Sequence, residues 1–315
     1  MTHEPLPRDA TLADIGEFGL ISRFGFAQGD HVLLGPGDDA AVVRTRGHVV
    51  VSTDLAVENR HFRRDWADAR DIGHKVAAAA LADISAMGAH AHSIVVGLAA
   101  PADLLAQWAL DLAEGIGAEA AVAGASVVGG DLTRAEEVMV AVTVMGGCEV
   151  APVTRAGARA GDVVALCGRQ GWAAAGLAVL SRGFRSPRAV VTAYQRPQPE
   201  YAAGPAAALA GATAMIDVSD GLLADLGHIA EASGVSINVE TQAFTLDEPL
   251  VAVGAALGLD PMTFVLGGGD DHALAATFPP GSVPEGWRVI GICGEGSGVS
   301  VDSAEYSGPR GHTHF

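Results

Sequence analysis

Short runs rich in β-branched residues alternate with long alanine-rich stretches along the whole of this chain. HVVVSTD (48–54), HSIVVGLA (92–99), ASVVGGD (125–131) and VMVAVTVMGG (138–147) read as strands. DWADARDIGHKVAAAALADISAMGA (65–89) and PADLLAQWALDLAEGIGAEAAVAG (101–124) read as helices closed by glycine. After a turn-rich connector, APVTRAGARAGD (151–162), a second series begins. It has a strand VVALCG, helices near 172–182 and 199–211, a strand TAMIDVSD and a helix from about Gly221. Further strands are expected around 235–240, 272–278, 287–292 and 298–301. Such alternation calls for helices layered on sheets, an α/β fold with mixed-sheet, α+β layers. A length of 315 residues suits two domains, and the pattern breaks near residue 150.

Composition narrows what those layers can do. Hydrophobic residues make up 49% of the chain, enough for a sizeable core, yet no run reaches the ~20 apolar residues that span a bilayer. Lys and Arg number 19 against 37 Asp and Glu, and the net charge of −18 is the wrong sign for nucleic acid or an anionic membrane. Cys148, Cys167 and Cys293 stand far apart with no CxxC pair, which suits a reducing compartment and argues against a disulfide framework or a thiolate zinc site. The opening MTHEPLPRDATLADIGEFG is polar and does not read as a signal peptide. A soluble, cytoplasmic protein is expected.

Acids recur beside glycine or at the ends of β-like runs: GPGDD (Asp38, Asp39), VSTD (Asp54), VVGGD (Asp131), IDVSDG (Asp217, Asp220) and LGGGDD (Asp270, Asp271). The first pair sits within VLLGPGDDAAVV, between runs that read as buried strand. Each has a plain structural alternative. The first pair suits a solvated turn, Asp54 and Asp131 could end strands in solvent, and Asp220 could cap the following helix. Asp83 is different, because AAAALADISAMGA offers almost no wet helical face, so this acid is expected to meet protein or ligand. Period two places Asp217 with Ser219, away from Ile216 and Val218, and Ser52 with Asp54. Hard oxygen ligands in such settings suit Mg²⁺ or Mn²⁺ rather than zinc.

A carboxylate-lined site repels an anionic substrate unless divalent cations bridge the two. Lys75 is the only lysine, and GHKV is no phosphate-binding GxxxxGK[ST] loop. Metals and a few arginines must then do that work, with Arg134 of GGDLTR and Arg155 of PVTRAG as candidates that could equally lie on a solvated surface. The acids run from Asp38 to Asp271, so they form no contiguous loop of the EF-hand kind, and a site assembled by the fold is expected.

EFGLISRF, GPGDDAAVV, STDLAVENRHF, HKVAAAALADISAMGA, GGDLTRA, PVTRAGARAGD, IDVSDGLLADLGHIAEASG, GGGDDHAL and HTHF follow one another in this order. The ordered set resembles the thiamine-monophosphate kinase family, of the superfamily that includes aminoimidazole ribonucleotide synthetase and selenophosphate synthetase. The resemblance implies ATP-dependent phosphorylation of thiamine phosphate to thiamine diphosphate by direct transfer, with no covalent catalyst. It implies several Mg²⁺ ions on Asp39, Ser52, Thr53, Asp54, Asp83, Asp131, Asp217 and Asp220. ATP would meet Gly130, Asp131, Arg155 and Ser219; thiamine phosphate would meet His61, Asp270 and Phe315. It further implies an N-terminal ATP/metal-binding and dimerisation domain (1–150), a C-terminal α/β domain (151–315) and a homodimer.

The chain departs from the family pattern at two places. The usual GGEDYEL carries Asp270, His272 and Ala273 in place of Glu, Tyr and Glu, and the usual VEGVHF reads VENRHF, setting Arg60 beside His61. Other ATP-using members of the superfamily, or a protein that binds nucleotide or metal without turnover, are the competing readings. No cysteine near the N-terminal glycine-rich segment supports selenide chemistry, and STDLAVENRHF and GGDLTRA fit the thiamine kinases better than the synthetase.

Overall fold

The computed structural model describes residues 6–35, 40–45 and 47–312. They pack as two units, one running up to Ile84 and resuming over His90–Gly147, the other made of Ser85–Ala89 and the chain from Cys148 onward.

The first unit begins with short helices α1 (Leu12–Ile15) and α2 (Glu17–Ile21) and a ribbon of β1 (Val32–Leu34) with β2 (Val42–Val43). The sequence reads these two runs as buried strand, but the ribbon is half-exposed, with Leu33 57% accessible. A two-stranded ribbon this short turns side chains to both faces, and only one face can be covered. Then come β3 (Val49–Val57), α3 (Ala69–Ala86), β4 (His90–Ala100), α4 (Ala106–Val122), β5 (Ser126–Arg134) and β6 (Met139–Gly147). The strands lie in the order β3-β6-β4-β5, with only β4 and β5 parallel.

Alternation on β6 decides which face the helices cover. Val140, Val142 and Val144 are fully buried, and Gly146 lies against Ile84 of α3. Ser52 and Asp54 pair with Val144 and Val142, so they share the helix-covered face, while Val49, Val51, Thr53 and Leu55 take the other. Helices α3 and α4 cross at glycine. A Cβ on Gly73 would stand 2.2 Å from Leu112 O, and one on Gly115 2.1 Å from Arg70 O. His74 Nδ1 and Glu119 Oε2, 2.9 Å apart, link the same two helices. Lys75, also on α3, is 8% exposed.

The second unit runs β7 (Val163–Cys167), α5 (Trp172–Leu180), α6 (Arg188–Gln195), α7 (Ala203–Leu209), β8 (Ala214–Val218), α8 (Leu222–Ser233) and β9 (Ser236–Val239). It continues through α9 (Glu248–Leu257), α10 (Met262–Gly267), β10 (Ala273–Phe278), β11 (Arg288–Gly294) and β12 (Gly298–Val301). The sheet order is β12-β9-β11-β7-β10-β8, and only β12 and β9 are parallel. One face holds a core that includes Leu166, Ile216, Val218, Leu226 and Ile290; the other packs Ala165, Met215 and Phe278. Helices α6, α9 and α10 are additions to the sequence reading. In α6 the β-branched run Val190–Val191–Thr192 masks a helix whose Val190, Val191 and Tyr194 are buried.

Because backbone carbonyls fill the space at the α3–α4 crossing, Gly115→Ala should destabilise the first unit by about 1–3 kcal/mol, as overpacking does. Urea unfolding should show a lowered midpoint with little change in slope.

Candidate active site

Two groups of polar side chains form, one on each unit. In the first unit the Ser52 hydroxyl donates to Asp83 Oδ2 at 2.5 Å, tying the middle of β3 to α3. Asp54 lies on that same face, and both acids are half-buried. Thr53 is on the opposite face, where its hydroxyl is 2.9 Å from that of Thr143. Its side chain is therefore separated from Ser52, Asp54 and Asp83, and only its main-chain carbonyl remains available to the role expected of it.

Asp131 and Gly130 lie on β5, at the far edge of the sheet from β3. Asp131 shares a register row with Gly97, Ala141 and Leu55, one residue out of step with Asp54. Three strand spacings, roughly 14 Å, separate those edges. His61 follows β3 in a tight turn where the Val57 N–H donates to its Nδ1 at 3.0 Å. A backbone N–H can only donate, so Nδ1 is the acceptor and the ring proton sits on Nε2. Arg134 and Arg155 are both exposed.

The second unit's group centres on Asp217, only 4% exposed on β8. Ile216 and Val218 point into the larger core, so Asp217 lies on the other side of the strand. His272 meets it, with Nδ1 3.2 Å from Asp217 Oδ2 and both side chains buried. Reaching that position forces unusual backbone on the preceding turn: Asp270 has φ 65° and His272 φ 53°, both left-handed and neither glycine. Gly269 is required by the same turn, since a Cβ there would stand 1.8 Å from Ser219 O. The Asp270 N–H donates to that carbonyl at 3.0 Å, locking the two acidic loops together.

Asp220 does not cap α8. The helix starts at Gly221 with no side-chain cap, and Asp225 of its first turn reaches back, its Oδ2 accepting from the N–H groups of Asp220 at 3.1 Å and Gly221 at 3.0 Å. The His312 N–H donates to Asp220 O at 3.0 Å, so the chain after β12 returns to this loop. Burial raises the Asp225 carboxyl from its ordinary 3.8 to about 7, and the charges of Asp217 and Asp220 add to the effect. Asp225 and His272 are the residues that sequence reasoning did not assign to the site. A carboxylate five residues after Asp220 in IDVSDGLLAD was the available signal. Asp39 and Phe315 lie outside the described residues.

Among the described residues, no three His, Cys, Asp or Glu side chains converge on one point as a complete metal cage. Mg²⁺ binds hard oxygen donors and keeps several waters beside one or two carboxylates and substrate phosphates. The donor set fits in kind: hard oxygens from Ser52, Asp54, Asp83, Asp217 and Asp220.

The AIR synthase related protein N-terminal domain family matches residues 37–148, and the corresponding C-terminal domain family matches 159–277. The chain is 48% identical over 319 residues to the thiamine-monophosphate kinase of Mycobacterium tuberculosis (strain CDC 1551 / Oshkosh), covering 99% of this chain and 96% of that protein. Identity to the Corynebacterium glutamicum thiamine-monophosphate kinase is 36% over 291 residues, covering 89% and 87%. Among solved structures, AaThiL complexed with AMPPCP and TMP aligns with a TM-score of 0.80 and 28% identity over 97% of this chain and 99% of that one. Thiamine-monophosphate kinase from Stenotrophomonas maltophilia K279a aligns with a TM-score of 0.79 and 31% identity over 88% and 93%.

Asp271, next to the strained pair, supplies a pH test. Burial raises its carboxyl from 3.8 to about 7, against the opposing pull of the Ala173 N–H and Arg169. The folded state thus keeps a proton that the unfolded chain releases, and this group's contribution to stability falls as pH rises from about 4 to 7, then levels off. Asp271→Asn keeps an oxygen for the Ala173 N–H and should remove that decline. Urea midpoints across the window should diverge in favour of the variant, by at most roughly 4 kcal/mol at pH 7.

Proposed function

The chain belongs to the thiamine-monophosphate kinase family, and we propose that it carries out ATP-dependent phosphorylation of thiamine phosphate to thiamine diphosphate through the two oxygen-ligand groups described above. The observation in the fold that carries this reading is Asp217, a carboxylate buried on a strand whose neighbours are core residues. Burying a charge there is costly unless it is offset, and a structural role would be served as well by an uncharged residue.

We assign Mg²⁺ to Asp39, Ser52, the Thr53 carbonyl, Asp54, Asp83, Asp131, Asp217 and Asp220. Bound Mg²⁺ supplies neutralisation of phosphate charge during transfer. The protein's own contribution is to hold the ligands ready. Ser52 fixes one oxygen of Asp83, His272 fixes one of Asp217, and Asp225 accepts the N–H groups of Asp220 and Gly221. Gly130, Asp131, Arg155 and Ser219 are assigned to ATP. His61, Asp270 and Phe315 are assigned to thiamine phosphate, with the Nε2–H of His61 as a donor suited to phosphate oxygen. No nucleophile is needed, because phosphoryl transfer is governed by positioning and charge neutralisation.

We also assign a homodimer paired through the uncovered face of the first unit's sheet. Supporting it, edge strand β3 exposes Val51 (59%) and Leu55 (52%) on one face with Val49 beside them. We place the enzyme in the cytoplasm. Three free, buried cysteines suit a reducing compartment, and among the described residues no helix is long and apolar enough to cross a membrane.

Turnover and tight ATP binding should both vanish in excess chelator and return with Mg²⁺; full activity in chelator would remove the metal from the mechanism. Asp83→Asn and Asp217→Asn should fold yet lose a factor on the order of 10² or more in kcat, the scale of a lost electrostatic contact to a transition state. Near-wild-type rates in both would make these acids bystanders. Val51→Asp should convert a dimer into a monomer by light scattering, and a wild-type protein that is monomeric at micromolar concentration would refute the assembly.

A further inference from the structure

A cavity of about 360 Å³ lies in the second unit, between the loop after β7 and the segment leading into α9. No residue assigned above to ATP, metal or thiamine phosphate lines it. Its walls include Arg169, Gln170, Phe244, Asp247, Leu250 and Arg288.

Two of its polar atoms are held in place yet unsatisfied. Gln170, 6% exposed, donates from Nε2 to the carbonyls of Val265 at 3.0 Å and Gly268 at 2.6 Å. Two carbonyl partners settle the orientation of the amide, and its Oε1 is left buried with no donor. Arg169 Nε is likewise buried without an acceptor, since Asp271 Oδ1 at 3.8 Å is beyond hydrogen-bond range. The Arg169 guanidinium is held 4.9 Å over Trp172, whose Nε1 donates to Asp247 Oδ2 at 3.0 Å. Arg288 stands 5.2 Å over Phe244 and has no carboxylate partner among the described residues. Buried polar groups are normally satisfied, so an orphaned acceptor and an orphaned donor beside one cavity call for an occupant. A water could serve one of them but leaves the Arg288 guanidinium on the wall without a carboxylate partner among the described residues. In a chain of net charge −18, the cavity wall carries two arginines against one carboxylate, Asp247.

We propose that this cavity binds a small organic anion, a phosphate or carboxylate that also carries a hydroxyl or amino donor. Its anionic end lies between Arg169 and Arg288, its donor meets Gln170 Oε1, and its carbon frame lies on Phe244 and Leu250. The site is separate from the one that performs phosphoryl transfer.

Trp172 adjoins the cavity, so its emission reports on occupancy. The full chain in EDTA is titrated with glycerol 2-phosphate and with malate, and a Trp172→Phe variant identifies the responding signal. The expected result is a saturable Trp172 response to at least one of the two, weakened tenfold or more in Arg288→Gln. Methyl phosphate, which lacks the hydroxyls, should bind more weakly than glycerol 2-phosphate. Arg288 is exposed, so its variant should keep wild-type kcat with ATP and thiamine phosphate, which establishes that it is folded. The proposal is overturned if neither anion gives a saturable response at concentrations on the order of 10 mM, if affinity is unchanged in Arg288→Gln, or if thiamine phosphate displaces the bound probe.

Discussion

A carboxylate on a fully buried edge strand is the constraint from which much of the second unit follows. Asp217 cannot be hydrated where it stands, so a neighbour must supply a partner. His272 does so only because the chain before β10 adopts left-handed backbone at two non-glycine residues. That turn in turn presses Gly269 against the Ser219 carbonyl, which aligns the two acidic loops. Asp225 completes the set by tying down the N–H groups of Asp220 and Gly221, and its own carboxyl is driven towards neutrality chiefly by burial, with the charges of Asp217 and Asp220 adding to it. Strain and close approach at this corner therefore share one origin.

The two groups rest on different local devices. In the first unit the acid sits on a helix and is held by a hydroxyl from a strand, an inexpensive arrangement because both residues are only half-buried. In the second, the acid sits on the strand and is held by an imidazole deep in the fold. The family pattern has tyrosine where this chain has His272. A histidine meets the carboxylate through a ring nitrogen where a tyrosine would offer a phenol hydroxyl.

Much of this was legible from residue order. Period two assigned Asp217 to the side away from Ile216 and Val218, and the apolar setting of Asp83 announced a partner, which proved to be Ser52. The same rule separates Thr53 from its neighbours, although the family resemblance groups all three. What could not be read was pairing across the sheets. Alternating strands and helices suggest parallel neighbours, yet each main sheet has just one parallel pair, because strand order is set by packing between distant segments. That order alone decides that Asp131 lies at the opposite edge from Asp54. Asp225 and His272 were missed for a related reason: their roles depend on backbone N–H groups and a carboxylate brought close only by the folded loops.

The burial of Lys75 on α3 has a practical consequence. With its single ε-amine enclosed, the folded protein presents almost no lysine to acylating or crosslinking reagents, and residue 75 becomes reactive only when the first unit opens. The rate at which an amine-directed label appears at that one position would therefore clock opening of the fold residue-specifically, without any engineered probe.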